Sequence, residues 1–512
     1  MRWHQDEYDF SHLPKCVFSV YIRAAVRSMA QMIIMHENPN SDRADSGNVE
    51  RFGPYLVVGL AVLIIAQIIF YQPFYGLMDD ASHLQQTLAA GDDGLVDSAL
   101  SLIRIKLVSQ GRFQPMFAVM VAVLYQIGLL FGPIPLFVVN ALFVFTVLYL
   151  NAHVLEQILG IDKWKLLLFA LAFPYTYDLL QHPSLQEKLV MLFGALLLMA
   201  SVQENIDRRR KALIITLWTI LGSFSKEQSV IYLAAAFVAL ISVSDLRNKK
   251  DRLFLGYVAL LDLVTVLVTV YLISTGDYHT GGAYSVRNAA ENISSPVGFF
   301  FLGISIIGAI LYLRPRYWRD EFEQLIPLIG VISFTVMLLP WRAFGGYLLS
   351  VVVLFLAALL VQLLNRVTES VGRVRAMAAF ATRQYWVAGL AIAAVGMTWY
   401  RPYTMFVRLN DISKVVSMAS LLESQGIKEI EMPCEEGSLS MAYFLEHYGG
   451  TSIAVRQLLG DSQVNGKVIL HDSKMCGPLS MESAQTQMCR LEYLYQSPLH
   501  GGYTLVRFEC EP

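Results

Sequence analysis

The 512-residue chain predicts an all-α polytopic membrane bundle of about eleven transmembrane helices, followed by a small C-terminal α/β domain outside the membrane. Three observations predict it. The chain is 55% hydrophobic and only 16% charged, where soluble domains carry roughly 25%. Its apolar residues gather into runs of about 17–22, the length that crosses a bilayer core. From about Pro402 those runs stop, and short mixed segments bounded by turn residues take over. The net charge of -2 carries no signal by itself, and no nucleic-acid partner is expected. The placement of charge is informative, because Lys/Arg clusters punctuate the apolar runs on one side.

Residues 1–52 predict a cytoplasmic tail with Arg23, Arg27, Arg43 and Arg51, mildly amphipathic from Val17 to Ile34. The first run, Pro54 to Phe70, lacks a small-residue cleavage site after it and is expected to stay as an anchor. An outer loop then spans residues 71–115. Helices are expected at Asp80 to Ala90 and Leu95 to Val108, joined by the turn Gly91-Asp92-Asp93-Gly94. Met116 to Leu130 is short and ends at Phe131-Gly132-Pro133. As a full span it would put Arg208-Arg209-Arg210-Lys211 outside, so a shallow or re-entrant segment is expected.

Ten further spans follow, with inner loops rich in Lys and Arg. They are Leu136–Leu155, Leu166–Leu180, Leu189–Val202, Ala212–Gly222, Val230–Val243, Leu253–Ile273, Val297–Leu313, Leu325–Leu339, Tyr347–Leu364 and Trp386–Tyr400. The bundle therefore occupies 53–400, with its N-terminus cytoplasmic, and 401–512 is expected outside. In that last part a helix is expected at Val415 to Ser424 and another at Met441 to His447. Strands are expected at Glu429 to Met432, Val468 to His471 and Tyr503 to Phe508. Cys434, Cys476, Cys489 and Cys510 fall together here, which fits disulfides in an oxidising compartment. The Asn292-Ile293-Ser294 sequon is not expected to carry a glycan.

Ionisable residues near the outer ends of spans carry the functional signal, because such groups at membrane depth are costly. Asp79 and Asp80 follow the first span. A carboxylate can take the proton of an attacking hydroxyl, and two adjacent ones repel unless they share a proton or a cation. The other reading of Asp80 is a helix cap before Ala81-Ser82-His83-Leu84. Arg112, in Gly111-Arg112-Phe113-Gln114-Pro115, faces a phosphate or the acidic pair, or anchors a helix start at the interface. Lys226, beside Glu227, holds a lipid phosphate or forms a salt-bridged turn. Arg342, before Gly345-Gly346-Tyr347, is a further phosphate candidate or snorkels. Asp178 and His182 are four apart and share a helical face. His182, Glu187, Glu227 and Tyr347 are the candidate substrate contacts. No clustered metal-ligand motif, P-loop, GxSxG or dinucleotide fingerprint is present, and a divalent cation at the acidic pair stays open.

This order of features resembles the GT-C superfamily of polytopic membrane glycosyltransferases, nearest in layout to the bacterial aminoarabinose-transferase and protein-mannosyltransferase type. The resemblance covers about residues 54–364. It rests on Asp79-Asp80 after the first span, Gly111 to Pro115 opening a short segment, Leu130-Phe131-Gly132, the turn His182 to Glu187, Ser225-Lys226-Glu227, and Arg342 to Tyr347. The proline motif is not Lys-Pro-Pro and the turn lacks Arg-Pro-Asp, so a donor other than aminoarabinose or mannose is expected. The resemblance implies a bacterial inner-membrane enzyme taking a sugar from a polyprenyl-phosphate donor to a glycan or lipid acceptor, with inversion. It gives Asp79 or Asp80 the role of base, and Arg112, Lys226 and Arg342 that of phosphate ligands. Two other classes stay open: a flippase of a lipid-linked saccharide, and an O-antigen-type polymerase or ligase.

Overall fold

The computed structural model describes residues 46–76, 79–89, 95–110, 113–275, 285–312, 321–341, 346–370, 376–432, 435–457, 467–472, 489–499 and 503–510. At some positions inside these elements, Asp79 and Asp80 among them, it describes the backbone alone. The chain divides into two units, Met1–Phe52 and Gly53–Pro512. The expected amphipathic segment of the first lies outside the described residues. The second is mainly helical and ends in a five-stranded sheet.

Among the described residues three helices are long and apolar enough to cross a membrane, which fits a membrane protein. They are α1 (Gly53–Tyr71), α5 (Pro133–Leu159) and α11 (Lys249–Tyr271, continuing to Thr275). A fourth span arises if α12 (Val286–Ser294) and α13 (Pro296–Tyr312), bent by 87° where they meet, count as one. The expected count of about eleven is corrected by this finding, and the cause is local. The run after Lys163 breaks at Phe173-Pro174, because proline removes a backbone donor and pushes its predecessor out of the helical region. It leaves α6 (Lys163–Ala172), a 3-10 turn and the four-residue α7 (Asp178–Gln181). The next helices, α8 (Glu187–Val202) and α9 (Arg208–Ser223), have 16 residues each. That is about 24 Å of helix, short of a core about 30 Å thick. The apolar α10 (Val230–Ser242) and α14 (Ile326–Leu338) have 13 residues each.

The outer loop folds as α2 (Asp79–Ala89) and α3 (Leu95–Gln110), within a residue or two of expectation. The short segment is α4 (Pro115–Phe131). It turns straight into α5 at Gly132, whose φ of +88° favours glycine. Asn292, the sequon residue, donates its side-chain amide to the carbonyls of Leu339 and Trp341 at 2.7 Å each.

After α15 (Val353–Ser370), the expected break near residue 400 is absent. Instead α16 runs 42 residues, from Ala376 to Ser417, straight through Pro402. Proline there cannot donate to the carbonyl of Thr398, one turn back. Gln67 of α1 supplies the donor, its Nε2 lying 3.2 Å from that carbonyl. The Thr398 hydroxyl also meets the Tyr177 hydroxyl at 2.7 Å, so both polar groups of Thr398 are used. The helix is thus fastened at its weakest residue from two neighbouring elements.

A short α17 (Ala419–Ser424) leads to β1 (Glu429–Met432), α18 (Glu435–Phe444), β2 (Ala454–Gln457), β3 (Val468–Asp472), β4 (Cys489–Gln496) and β5 (Tyr503–Cys510). The sheet order is β2-β1-β3-β5-β4, with β1 parallel to both neighbours and β5 antiparallel to β3 and β4. The expected strands are present, and β2 and β4 are additions. One buried apolar core continues from the bundle through Phe406 and Ile412 to Met441, Phe444 and Leu505 of this terminal part.

Candidate functional site

Four separate stretches of chain meet at one end of the bundle. They are the start of α4, the start of α8, the 3-10 turn Glu227–Ser229 before α10, and the 3-10 turn Gly346–Val351 before α15. Each lies at the start of a helix or leads into one, so each brings unpaired backbone ends and polar side chains to the same place.

Lys226 Nζ is ion-paired with Oε1 of Glu187, a residue with no exposed surface. The other oxygen, Oε2, is buried and has no hydrogen-bond partner among the described residues. The Lys226 ammonium also lies 5.4 Å from the ring centre of Tyr347, a cation–π distance. Gln114, the residue preceding α4, reaches Oε2 of Glu227 through its Nε2 at 3.5 Å. Burial alone would lower the Lys226 pKa, but Glu187, Tyr347 and Glu227 outweigh it and hold the ammonium above the ordinary lysine range. Of the side chains in this cluster Tyr347 is the exposed one, at 38%, whereas Glu187, Lys226, Glu227 and Gln114 are all buried. Among the described residues of this cluster one cation faces two carboxylates, so an anion arriving past Tyr347 needs further positive charge.

Two expected sources of that charge, Arg112 and Arg342, lie outside the described residues. In sequence they stand two positions before Gln114 and five before Tyr347. Asp79 and Asp80 open α2, and their side chains lie outside the description too. The helix itself packs on α3, α4 and α18. His83 in its second turn meets the ring of Phe117 at 5.3 Å, and Phe117 is one turn along α4 from Gln114.

The structure therefore brings together Lys226, Glu187, Glu227 and Tyr347, all singled out from sequence. Lys188 does something else. It is fully buried, donating to the Asn140 Oδ1 at 2.5 Å and the Pro183 carbonyl at 2.7 Å, and it stitches the turn before α8 to α5. His182 belongs to that same turn: its carbonyl is 3.5 Å from Lys188 Nζ, and its imidazole acts electrostatically on Asp178. Asp178 is paired with Arg401 at 3.1 Å.

Sequence reasoning missed Arg401, Gln114 and an aromatic cluster. Phe74 lies 5.3 Å from both Phe444 and Tyr448, and Tyr75 stacks on Tyr125 at 6.1 Å and on Phe444 at 6.4 Å. These rings fasten the segment just before the acidic pair to the terminal domain. The available signal was the density of Phe and Tyr in Tyr71-Gln72-Pro73-Phe74-Tyr75 directly after a span. Among the described residues no group of three or more His, Cys, Asp or Glu is placed to hold a metal ion.

Compared with known proteins, the chain matches no family model and no curated protein.

Proposed function

We propose that the chain is a membrane glycosyltransferase of the GT-C kind, moving a sugar from a polyprenyl-phosphate-linked donor to a glycan or lipid acceptor on the extracytoplasmic face of a bacterial inner membrane. The observation that carries this reading is the convergence of Lys226, Glu187, Glu227, Tyr347 and Gln114 from four helix ends into one buried, charged cluster. Burying a charged pair is costly even when its members meet each other, and a ligand that uses the charge gives a reason to keep it there.

In this reading Asp79 or Asp80 takes the proton of the acceptor hydroxyl as its oxygen bonds to the anomeric carbon. The sugar–phosphate C–O bond breaks on the opposite side, and its electron pair leaves with the polyprenyl phosphate. Configuration at the anomeric carbon inverts. Lys226, with Arg112 and Arg342, neutralises the leaving phosphate, an electrostatic and positioning role. His182, Glu187, Glu227 and Tyr347 contact the substrates.

The test uses the full-length protein in membranes with a polyprenyl-phosphate sugar as donor. Lys226→Gln is expected to cut transfer tenfold or more while the donor accumulates, and Lys226→Arg to retain more of it. Normal transfer by Lys226→Gln, at equal protein level, overturns the role of Lys226. A second reading is a flippase of the lipid-linked saccharide, favoured by the 87° break between α12 and α13, since broken helices mark many transporters. In that case the same variant would leave donor stranded on the cytoplasmic leaflet, and purified protein would transfer nothing.

A further inference from the structure

We propose that Cys489 and Cys510 are joined by a disulfide that fastens the edge strand β4 to β5. The two residues are paired directly across the antiparallel ladder, Cys489 opposite Cys510. The register is unbroken for the next four pairs, down to Tyr493 opposite Val506, and the one irregularity comes only after Tyr493. Position 489 is therefore fixed opposite 510 by a continuous run of pairs. Directly opposed residues in such a ladder have Cα atoms about 4.5 or 5.5 Å apart. Both values fall inside the window of about 4.4–6.8 Å that a disulfide spans. The period of two puts position 510 on the same face of β5 as Phe508 and Val506, which are buried.

The sheet supplies a reason for a bond here. Among the described residues β4 is an edge strand, paired on one side only, and this pair is the first of β4 and the last of β5. A strand end with one neighbour frays first, and a cross-link closing the loop between 489 and 510 restricts the unfolded chain. In chemical balance, the two thiols give up two protons and two electrons to form one S–S bond. A disulfide-carrying oxidoreductase takes up both electrons and protons and is reduced to its dithiol.

The experiment is disulfide mapping of the full-length protein purified from its membrane, alkylated before any reduction and then digested with trypsin. Cleavage after Lys474, Arg490 and Arg507 yields 475–490, which carries Cys476 and Cys489, and 508–512, which carries Cys510. These two peptides are expected to travel as one linked species that separates on reduction. The link persists in Cys476→Ser and disappears in Cys489→Ser. Alkylated Cys510 in the unreduced protein overturns the proposal. So does a link from Cys510 to the peptide of Cys434, or one that survives Cys489→Ser.

Discussion

Gln67 donates to the carbonyl of Thr398, the one acceptor that Pro402 leaves without its helical donor. A single amide thus lets a 42-residue helix carry a proline and still link the bundle to the terminal sheet. Gln67→Leu strands that carbonyl, which costs about 1–3 kcal/mol. Pro402→Ala supplies the missing N–H. The leucine substitution is expected to lower the unfolding midpoint in the wild-type background and to have much less effect alongside Pro402→Ala. Equal effects in the two backgrounds would show that the two residues are not coupled.

Glu187→Gln removes the carboxylate ion-paired with Lys226 and leaves the buried ammonium with Glu227 and Tyr347 to offset its burial. Removal of one partner from such a pair costs about 3–5 kcal/mol, whereas replacing both with apolar residues of similar size is often neutral. Thermal unfolding in detergent is expected to show a large drop for Glu187→Gln and recovery in Glu187→Leu with Lys226→Met. The double variant is expected to be stable and inactive, because the ammonium that meets the phosphate is gone.

Asp411 sits outside the apolar runs, near the end of α16, and accepts hydrogen bonds from Tyr495 and Ser497. Burial pushes its carboxyl above the ordinary range, and the two hydroxyls, with Lys414 and Arg408, only partly offset this. A raised folded-state pKa means that the folded chain holds the proton more tightly than the unfolded one. The associated stability is full below the ordinary aspartate pKa of about 3.9 and is lost as pH rises through the folded value. The unfolding midpoint of Asp411→Asn is expected to vary less than that of wild type from pH 4 upward. Parallel curves for the two proteins would contradict this.

Much of the architecture was legible in hydropathy alone. The apolar runs marked α1, α5 and α11 to within a few residues, and Gly132 and Pro133 marked the turn between α4 and α5. What hydropathy cannot separate is a membrane span from a helix of 10–16 residues that is too short to cross, so α6, α8, α9, α10 and α14 were expected as spans. The last span was expected to end at Tyr400, and nothing local announces that Gln67, 331 positions earlier, replaces the donor that Pro402 lacks. β4 was missed because the irregularity between Tyr493 and Tyr495 breaks its alternation, and β2 because it is four residues long and largely exposed. In the site, Lys226 and Glu227 stood out as charges between apolar helices, as did Glu187 in its outer turn. Their convergence depends on long-range packing that no local pattern encodes.

The most direct test of the whole scheme is transfer from a polyprenyl-phosphate sugar by the full-length protein carrying Asp79→Asn or Asp80→Asn, with product and lipid-linked donor measured together. General-base catalysis is worth about 10²–10⁴-fold, so one of the two variants is expected to lose product on that scale while donor accumulates and the protein stays in the membrane. Undiminished transfer by both variants would contradict a first-loop carboxylate as the base.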